Sequence, residues 1–323
     1  MRIKQTLRFF SIALLIVLFT SLTIGCQPAD SDDRQNEIRI GYQKFGILSI
    51  LKARGTLEKR LKSRGIKVKW IQFPAGPQLL EALNVGSIDI GETGNTPPIF
   101  AQAANAPLVY FAAGTPRPEA EAIIVPKDSP IRGIRDLKGK KVALNKGSNV
   151  HYLLVRALEK AGLTYSDIQP VYLAPADARA AFAEKNVDAW VIWDPYYADA
   201  ETSLQTRTLT DAHGYTSNRS YYLAAKNYAA QHGDVIGIIV DELKNSADSF
   251  NRNPDQTARL LAKQIGMDLK PVNLAIQRAE YGIEPINQSI IDDQQQIANT
   301  FLRIGLIPKS IQVRDVVWRE QKS

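Results

Sequence analysis

The chain has 323 residues, 45% of them apolar and 23% charged, the balance of an ordinary globular protein with room for two domains. Its formal net charge is +7, and Arg2, Lys4 and Arg8 of the first ten residues supply three of those charges. The remaining excess is small and interspersed with acids, which argues against a nucleic-acid partner and favours, weakly, an anionic ligand.

The basic start precedes an uncharged run over residues 9–29, in which Leu22-Thr23-Ile24-Gly25 leads into Cys26. A basic start, an apolar middle and a small residue before a cysteine predict an export signal over residues 1–25. Cys26 is the only cysteine, so no disulfide can form within the chain. A thiol at the end of a leader is expected to carry a lipid and to open the mature protein, although Thr23 stands where such signals usually have leucine. Ordinary signal cleavage and an uncleaved helical anchor are the alternatives, because the run is long enough to span a bilayer. Polar and acidic residues then suit a flexible tether at 26–36.

Beyond the tether, Ile38, Ile40 and Tyr42 alternate with charged or small residues and predict a strand. Ile47, Ile50, Leu51, Leu57 and Leu61 have helical spacing, and Ile66, Val68 and Trp70 alternate with lysines as a second strand. Residues 73–89 read as strand end, Gly-Pro helix start, amphipathic helix, turn and short strand. Residues 107–114 and 121–125 read as buried strands, and Asp136-Leu137-Lys138-Gly139-Lys140 as a turn into a strand at 141–145. Val150, Leu153, Leu154, Ala157, Leu158 and Ala161 then form one helix face, closed by Gly162. Residues 175–197 repeat the plan of 73–89, which implies two similar α/β lobes with a cleft between them. Strand–helix alternation predicts mostly parallel sheets. After about residue 225 four helical patterns follow, at 235–250, 254–265, 272–279 and 287–304, expected to cap the first lobe.

Four stretches taken together carry a family resemblance. They are Arg39-Ile40-Gly41-Tyr42-Gln43-Lys44, the 73–89 block, Pro97-Pro98-Ile99-Phe100-Ala101-Gln102-Ala103-Ala104 and the 175–197 block. In combination they resemble the periplasmic aliphatic-sulfonate-binding proteins, the solute receptors of ATP-driven sulfonate importers. The resemblance is close over residues 37–225 and looser beyond. It implies a type II periplasmic-binding-protein fold, with residues 37–116 and 222–323 in lobe 1, residues 117–221 in lobe 2, and two crossover strands joining them. It also implies an ABC permease with its cytoplasmic ATPase as partner, and a periplasmic location, here tethered as a lipoprotein. The chain itself is expected to be a monomer. Two positions depart from the family: Asn95 stands where an aspartate is usual, and Asn149-Val150 where serine or alanine is.

A sulfonate is a permanent monoanion with no proton to give, so it is expected to be held by N–H and O–H donors, with no carboxylate facing it. Helix N-termini at the carboxyl ends of strands supply such donors. The first start, Gln43-Lys44-Phe45-Gly46, offers the Gln43 amide and a close approach at Gly46. The second offers Thr93, Gly94, Asn95 and Thr96, with Thr96 as N-cap before Pro97. The third offers Gly147, Ser148 as N-cap, and Asn149. At the fourth, Asp194 before Pro195 reads as a cap, while Trp193 is expected along an alkyl tail and Trp190 in the core. Asp177, capping the preceding helix, and Tyr222, in the return crossover, complete the candidate ligand contacts. Each of these positions also has an ordinary structural reading as a cap, a loop residue or a packed side chain.

No cofactor or metal is expected, since His151, His213 and His232 share no metal-like spacing. Neither a Ser-His-Asp grouping nor a phosphate-binding glycine loop stands out, so no catalytic residue is assigned. The same receptor class with taurine, nitrate or a thiamine pyrimidine precursor as ligand is the first alternative. An enzyme on the same fold and a protein-contact scaffold are the others.

Overall fold

The computed structural model describes residues 36–319; the leader, Cys26 and residues 26–35 of the tether lie outside the described residues. The described strands form a six-stranded and a five-stranded sheet. Four strands of the first sheet come early: Glu37–Tyr42 (β1), Lys67–Gln72 (β2), Ile90–Gly94 (β3) and Leu108–Gly114 (β4). The chain then crosses through residues 115–120 to build the second sheet. Its strands are Glu121–Pro126 (β5), Lys141–Leu144 (β6), Gln169–Tyr172 (β7), Ala189–Trp193 (β8) and Thr206–Asp211 (β9). Residues 212–219 lead back, Ser220–Ala225 (β10) enters between β3 and β4, and Ile283–Glu284 (β11) adds to the β4 edge.

The sheets are less uniformly parallel than strand–helix alternation predicts. β1 is parallel to β3, and β6 to both β7 and β8. The strands that follow the crossings run against their neighbours, β5 against β8 and β9, and β10 against β3 and β4. The reason is positional. Glu121 starts opposite Trp193 and Ser220 opposite Gly94, so each crossing starts its strand at the carboxyl ends of that strand's neighbours. The carboxyl ends of both sheets thereby meet at the crossings.

Helices cover both faces of each sheet, and the side chains alternate accordingly. In β4, Val109 and Phe111 enter one core while Leu108 and Tyr110 enter another. In β8, Ala189 and Val191 face one side, Trp190 and Ile192 the other. The apolar stripe over 47–61 folds as two helices, Ile47–Arg54 (α1) and Thr56–Lys62 (α2), because the chain turns at Gly55. Gly76–Asn84 (α3) and Pro97–Ala103 (α4) complete the early part of lobe 1. Lobe 2 has Asn149–Lys160 (α5), Pro175–Ala183 (α6) and Tyr196–Ser203 (α7).

The C-terminal helices are Lys226–Gln231 (α8), Gly233–Arg252 (α9), Pro254–Ile265 (α10), Leu269–Gln277 (α11) and Gln288–Arg303 (α12). Residues of α9, α10 and α11 share a core with β1 and α1, and residues of α12 share one with α3 and β4. They cover the first sheet and also reach the second lobe. Arg278, just past α11, pairs with Asp194 at 3.2 Å and with Glu201, and Arg303 of α12 pairs with Glu159 of α5 at 2.6 Å. No described helix is long and apolar enough to cross a membrane.

Trp190 is 1% exposed, with its ring against Phe182 at 5.8 Å between centroids. Trp190→Ala is therefore expected to cost about 3–5 kcal/mol of stability, read as a lower urea midpoint at unchanged slope.

Candidate ligand site between the lobes

Where the carboxyl ends of the two sheets meet lies a cavity of about 50 Å³. Gln43, Phe45, Glu92, Thr93 and Gly94 line it from the first lobe, and Asn149, Trp193 and Asp194 from the second. Arg117 and Asn218 of the crossings and Ser220 of β10 close it. Gly94 and Asn149 bring the two lobes into contact. A Cβ on Gly94 would lie 2.9 Å from the Asn149 Cβ, so only glycine permits this spacing.

Five of the residues singled out in the sequence thus meet at one place: Gln43, Thr93, Gly94, Asn149 and Trp193. The Gln43 amide donates to the Glu92 carbonyl at 3.2 Å, and Thr93 Oγ1 donates to the Gly94 carbonyl at 2.9 Å. Trp193, partly exposed at the end of β8, packs against the cores on both faces of the sheet, whereas Trp190 is buried in one of them.

The other candidates sit elsewhere. Asn95 and Thr96 are fully buried: Asn95 Nδ2 donates to Thr216 Oγ1 at 3.0 Å, Thr96 Oγ1 donates to Asn95 Oδ1 at 3.0 Å, and Gln294 donates to the Asn95 carbonyl. Thr96 therefore does not cap α4 with its side chain. Ser148 Oγ donates back to the Asn145 carbonyl at 2.7 Å and leaves the α5 start uncapped by a side chain. Gly147 lines a separate groove of about 520 Å³, with Phe100, Lys146 and Tyr172. Asp177 is exposed on the first turn of α6 and makes no cap hydrogen bond. Tyr222 is buried in β10 against Phe111, with its hydroxyl unpartnered among the described residues.

The four helix starts are also unequal. At α1, Glu92 Oε2 accepts from the Leu48 N–H at 2.9 Å, and Gly46, at φ 136°, leaves room for that carboxylate. A Cβ on Gly46 would lie 2.6 Å from Glu92 Oε1. At α4, Pro97 and Pro98 remove two N–H groups, and the Ile99 N–H is bonded to the Thr96 carbonyl at 3.0 Å. At α7, Asp194 Oδ1 accepts from the Ala198 N–H at 3.0 Å. Only α5 begins at the cavity, through Asn149, with neither a carboxylate nor a proline on its first turn.

Of the two carboxyl groups at the cavity, the sequence reading names Asp194, as a helix cap, and leaves out Glu92. Glu92 is 6% exposed, and burial raises its pKa even though Leu48 and Arg117 oppose that. Burial likewise pushes Asp194 up to about 7 against the pull of Arg278. Arg117 donates to Tyr281 Oη at 2.7 Å and to Ser220 Oγ at 2.5 Å, and its guanidinium lies over the Tyr281 ring. One signal for Glu92 was available: an acid between Ile90-Gly91 and Thr93-Gly94, in a stretch otherwise suited to a buried strand. Arg117 and Asn218 have none, because crossings carry no periodic pattern. No group of three acidic, histidine or cysteine side chains among the described residues is placed to hold a metal ion.

Comparison with known proteins bears on this arrangement. The NMT1/THI5-like family model matches residues 61–257. The chain is 45% identical over 301 residues to an aliphatic sulfonates-binding protein of Escherichia coli (strain K12), covering 92% of this chain and 93% of that one. Its structure superposes on the periplasmic aliphatic sulphonate binding protein SsuA from Escherichia coli with a TM-score of 0.81, at 45% identity, over 89% of this chain and 94% of that one. The alkanesulfonate-binding protein SsuA from Xanthomonas axonopodis pv. citri, solved bound to MOPS, matches with a TM-score of 0.84 at 41% identity, over 88% and 98%. With two lobes built as in these structures and identity extending over nearly its whole length, the chain belongs to the family of periplasmic aliphatic-sulfonate-binding proteins and has the periplasmic-binding-protein fold.

Proposed function

We propose that this chain captures an alkanesulfonate between its lobes and delivers it to an ABC permease driven by a cytoplasmic ATPase. The observation that carries the reading is the meeting of Gln43, Thr93 and Gly94 with Asn149 and Trp193 at one cavity, in a chain 45% identical to a sulfonate receptor. The first lobe is taken as residues 37–116 and 222–323, the second as 117–221. The head group lies against the Gln43 amide, the first turn of α5 and the Arg117 guanidinium, and the alkyl chain along Trp193. With Gly94 and Asn149 touching, the cavity is smaller than the roughly 300 Å³ at which ligand sites usually begin. Ligand therefore enters with the lobes further apart, and its contacts to both of them select the liganded spacing. The chain acts by binding alone, a reading supported by its identity to proteins named for sulfonate binding. It is held at a membrane through lipid on Cys26 and works as a monomer.

Calorimetric titration with methane- to octanesulfonate, taurine, nitrate and sulfate tests the ligand class. Saturable binding of the alkanesulfonates and none of nitrate or sulfate is expected; equal binding of sulfate would refute the assignment. Gly94→Ala puts a methyl group against Asn149 and is expected to weaken alkanesulfonate binding about tenfold or more, with a larger radius of gyration by X-ray scattering. Cys26→Ser is expected to move the protein from the membrane fraction to the soluble one, and to abolish labelling by radioactive palmitate.

A further inference from the structure

Beside the cavity, the second lobe buries a carboxyl group that no cation neutralises by direct contact. Glu121 begins β5, is 0% exposed and stands cross-strand from Trp193. Its Oε2 accepts from Asn149 Nδ2, while its Oε1 has no hydrogen-bond partner among the described residues. The same Asn149 amide donates to Asn218 Oδ1 at 3.2 Å, and both asparagines line the cavity. Only one amide side chain therefore separates this carboxyl from any ligand placed there.

The charged groups around it are few. Arg117 of the first crossing attracts it, but the hydrogen bonds of that guanidinium go to Tyr281 and Ser220. Glu92 on β3 and Asp194, just past β8 with its N–H on the Ala120 carbonyl at 2.9 Å, add carboxyl groups at the cavity, and Arg278 answers Asp194. His151 of α5 contributes none, because burial lowers its pKa to about 3. Burial pushes Glu121 up to about 8, outweighing both the Asn149 hydrogen bond and Arg117.

We infer that this site takes up its anion together with a proton, and that Glu121 is the group that holds the proton. A permanent anion beside an ionised, desolvated carboxyl is repelled, whereas the neutral acid accepts from Asn149 without repelling the ligand. The proton comes from solvent and no bond of the ligand changes. The sign follows from the folded-state value. Below about pH 7 Glu121 of the free protein already carries its proton and adds no pH dependence; above about pH 8 that proton has to be regained on binding, and affinity falls as pH rises.

This inference rests on the sulfonate reading above, and the experiment separates the two. The mature protein is titrated calorimetrically with butanesulfonate at about pH 6.5 and about pH 9, each in two sulfonate-free buffers of different ionisation enthalpy. The expected result is close to no proton uptake at the lower pH, close to one proton per ligand at the higher, and a Kd that rises toward tenfold per pH unit between them and beyond. Glu121→Gln is expected to bind at every pH with about the low-pH affinity of the parent, and with no proton uptake. Binding at pH 9 without proton uptake in the parent protein would overturn the inference, as would a linkage that survives in Glu121→Gln. Absence of butanesulfonate binding at both pH values would instead sink the ligand assignment on which it rests.

Discussion

Charge removed from water has to be neutralised, paired or hydrogen-bonded, and the boundary between the lobes is organised by that requirement. Glu92 takes the amide end of α1, Asp194 takes that of α7 and pairs with Arg278, and Arg117 lies between the two acids on Tyr281 and Ser220. Each of these links joins parts of the chain far apart in sequence. Arg278 and Tyr281 lie between α11 and α12, Arg117 belongs to the outward crossing, and Glu92 sits in the middle of β3. The C-terminal segment is therefore tied into the site as well as packed on the first sheet.

This changes how the cavity handles an anion. Helix dipoles from opposing lobes converge on it, as expected for a receptor of anions, but two of the four helix ends are occupied by the protein's own carboxylates. For the proposed ligand this leaves the uncapped first turn of α5, the Gln43 amide and the Arg117 guanidinium, since both N–H groups of the Asn149 side chain are taken by Glu121 and Asn218. A carboxyl group at a helix end accepts from the amides there, and the helix offsets part of any charge it carries. It can shape the cavity without opposing the ligand as strongly as a free one would. Glu121 lacks such an arrangement, which is why its protonation state matters to whatever lies beyond Asn149.

Close approach is the second organising feature. Gly46 gives way to Glu92, and Gly94 to Asn149. Both lie in loops or strand ends at the crossings, where a single Cβ would force either a helix end or a whole lobe to shift. On the flank, Phe100 and Phe301 of the first lobe pack against His151 of the second, beside the Arg303–Glu159 pair, while Arg278 and Asp194 link the lobes elsewhere.

The two-lobe α/β plan, the strands at 37–42, 108–114 and 121–126 and the paired blocks at 73–89 and 175–197 were legible because alternation and helical spacing are local consequences of burial. Trp190 is buried in the core as its place in the strand predicts, while Trp193, at the strand end, packs against the cores on both faces and so does not separate cleanly from it. Gln43, Thr93, Gly94, Asn149 and Trp193 could be placed near the cavity because each follows the carboxyl end of a strand. Which hydroxyl caps a helix and which turns back could not be read, since Ser148 and Thr96 found acceptors in Asn145 and Asn95 that compete with the helix amides. Nor could the sequence reveal that Glu92, Asp194, Arg117 and Arg278 meet. Desolvation and charge pairing act between residues brought together only when the chain crosses twice between the sheets, and no spacing along the chain records that.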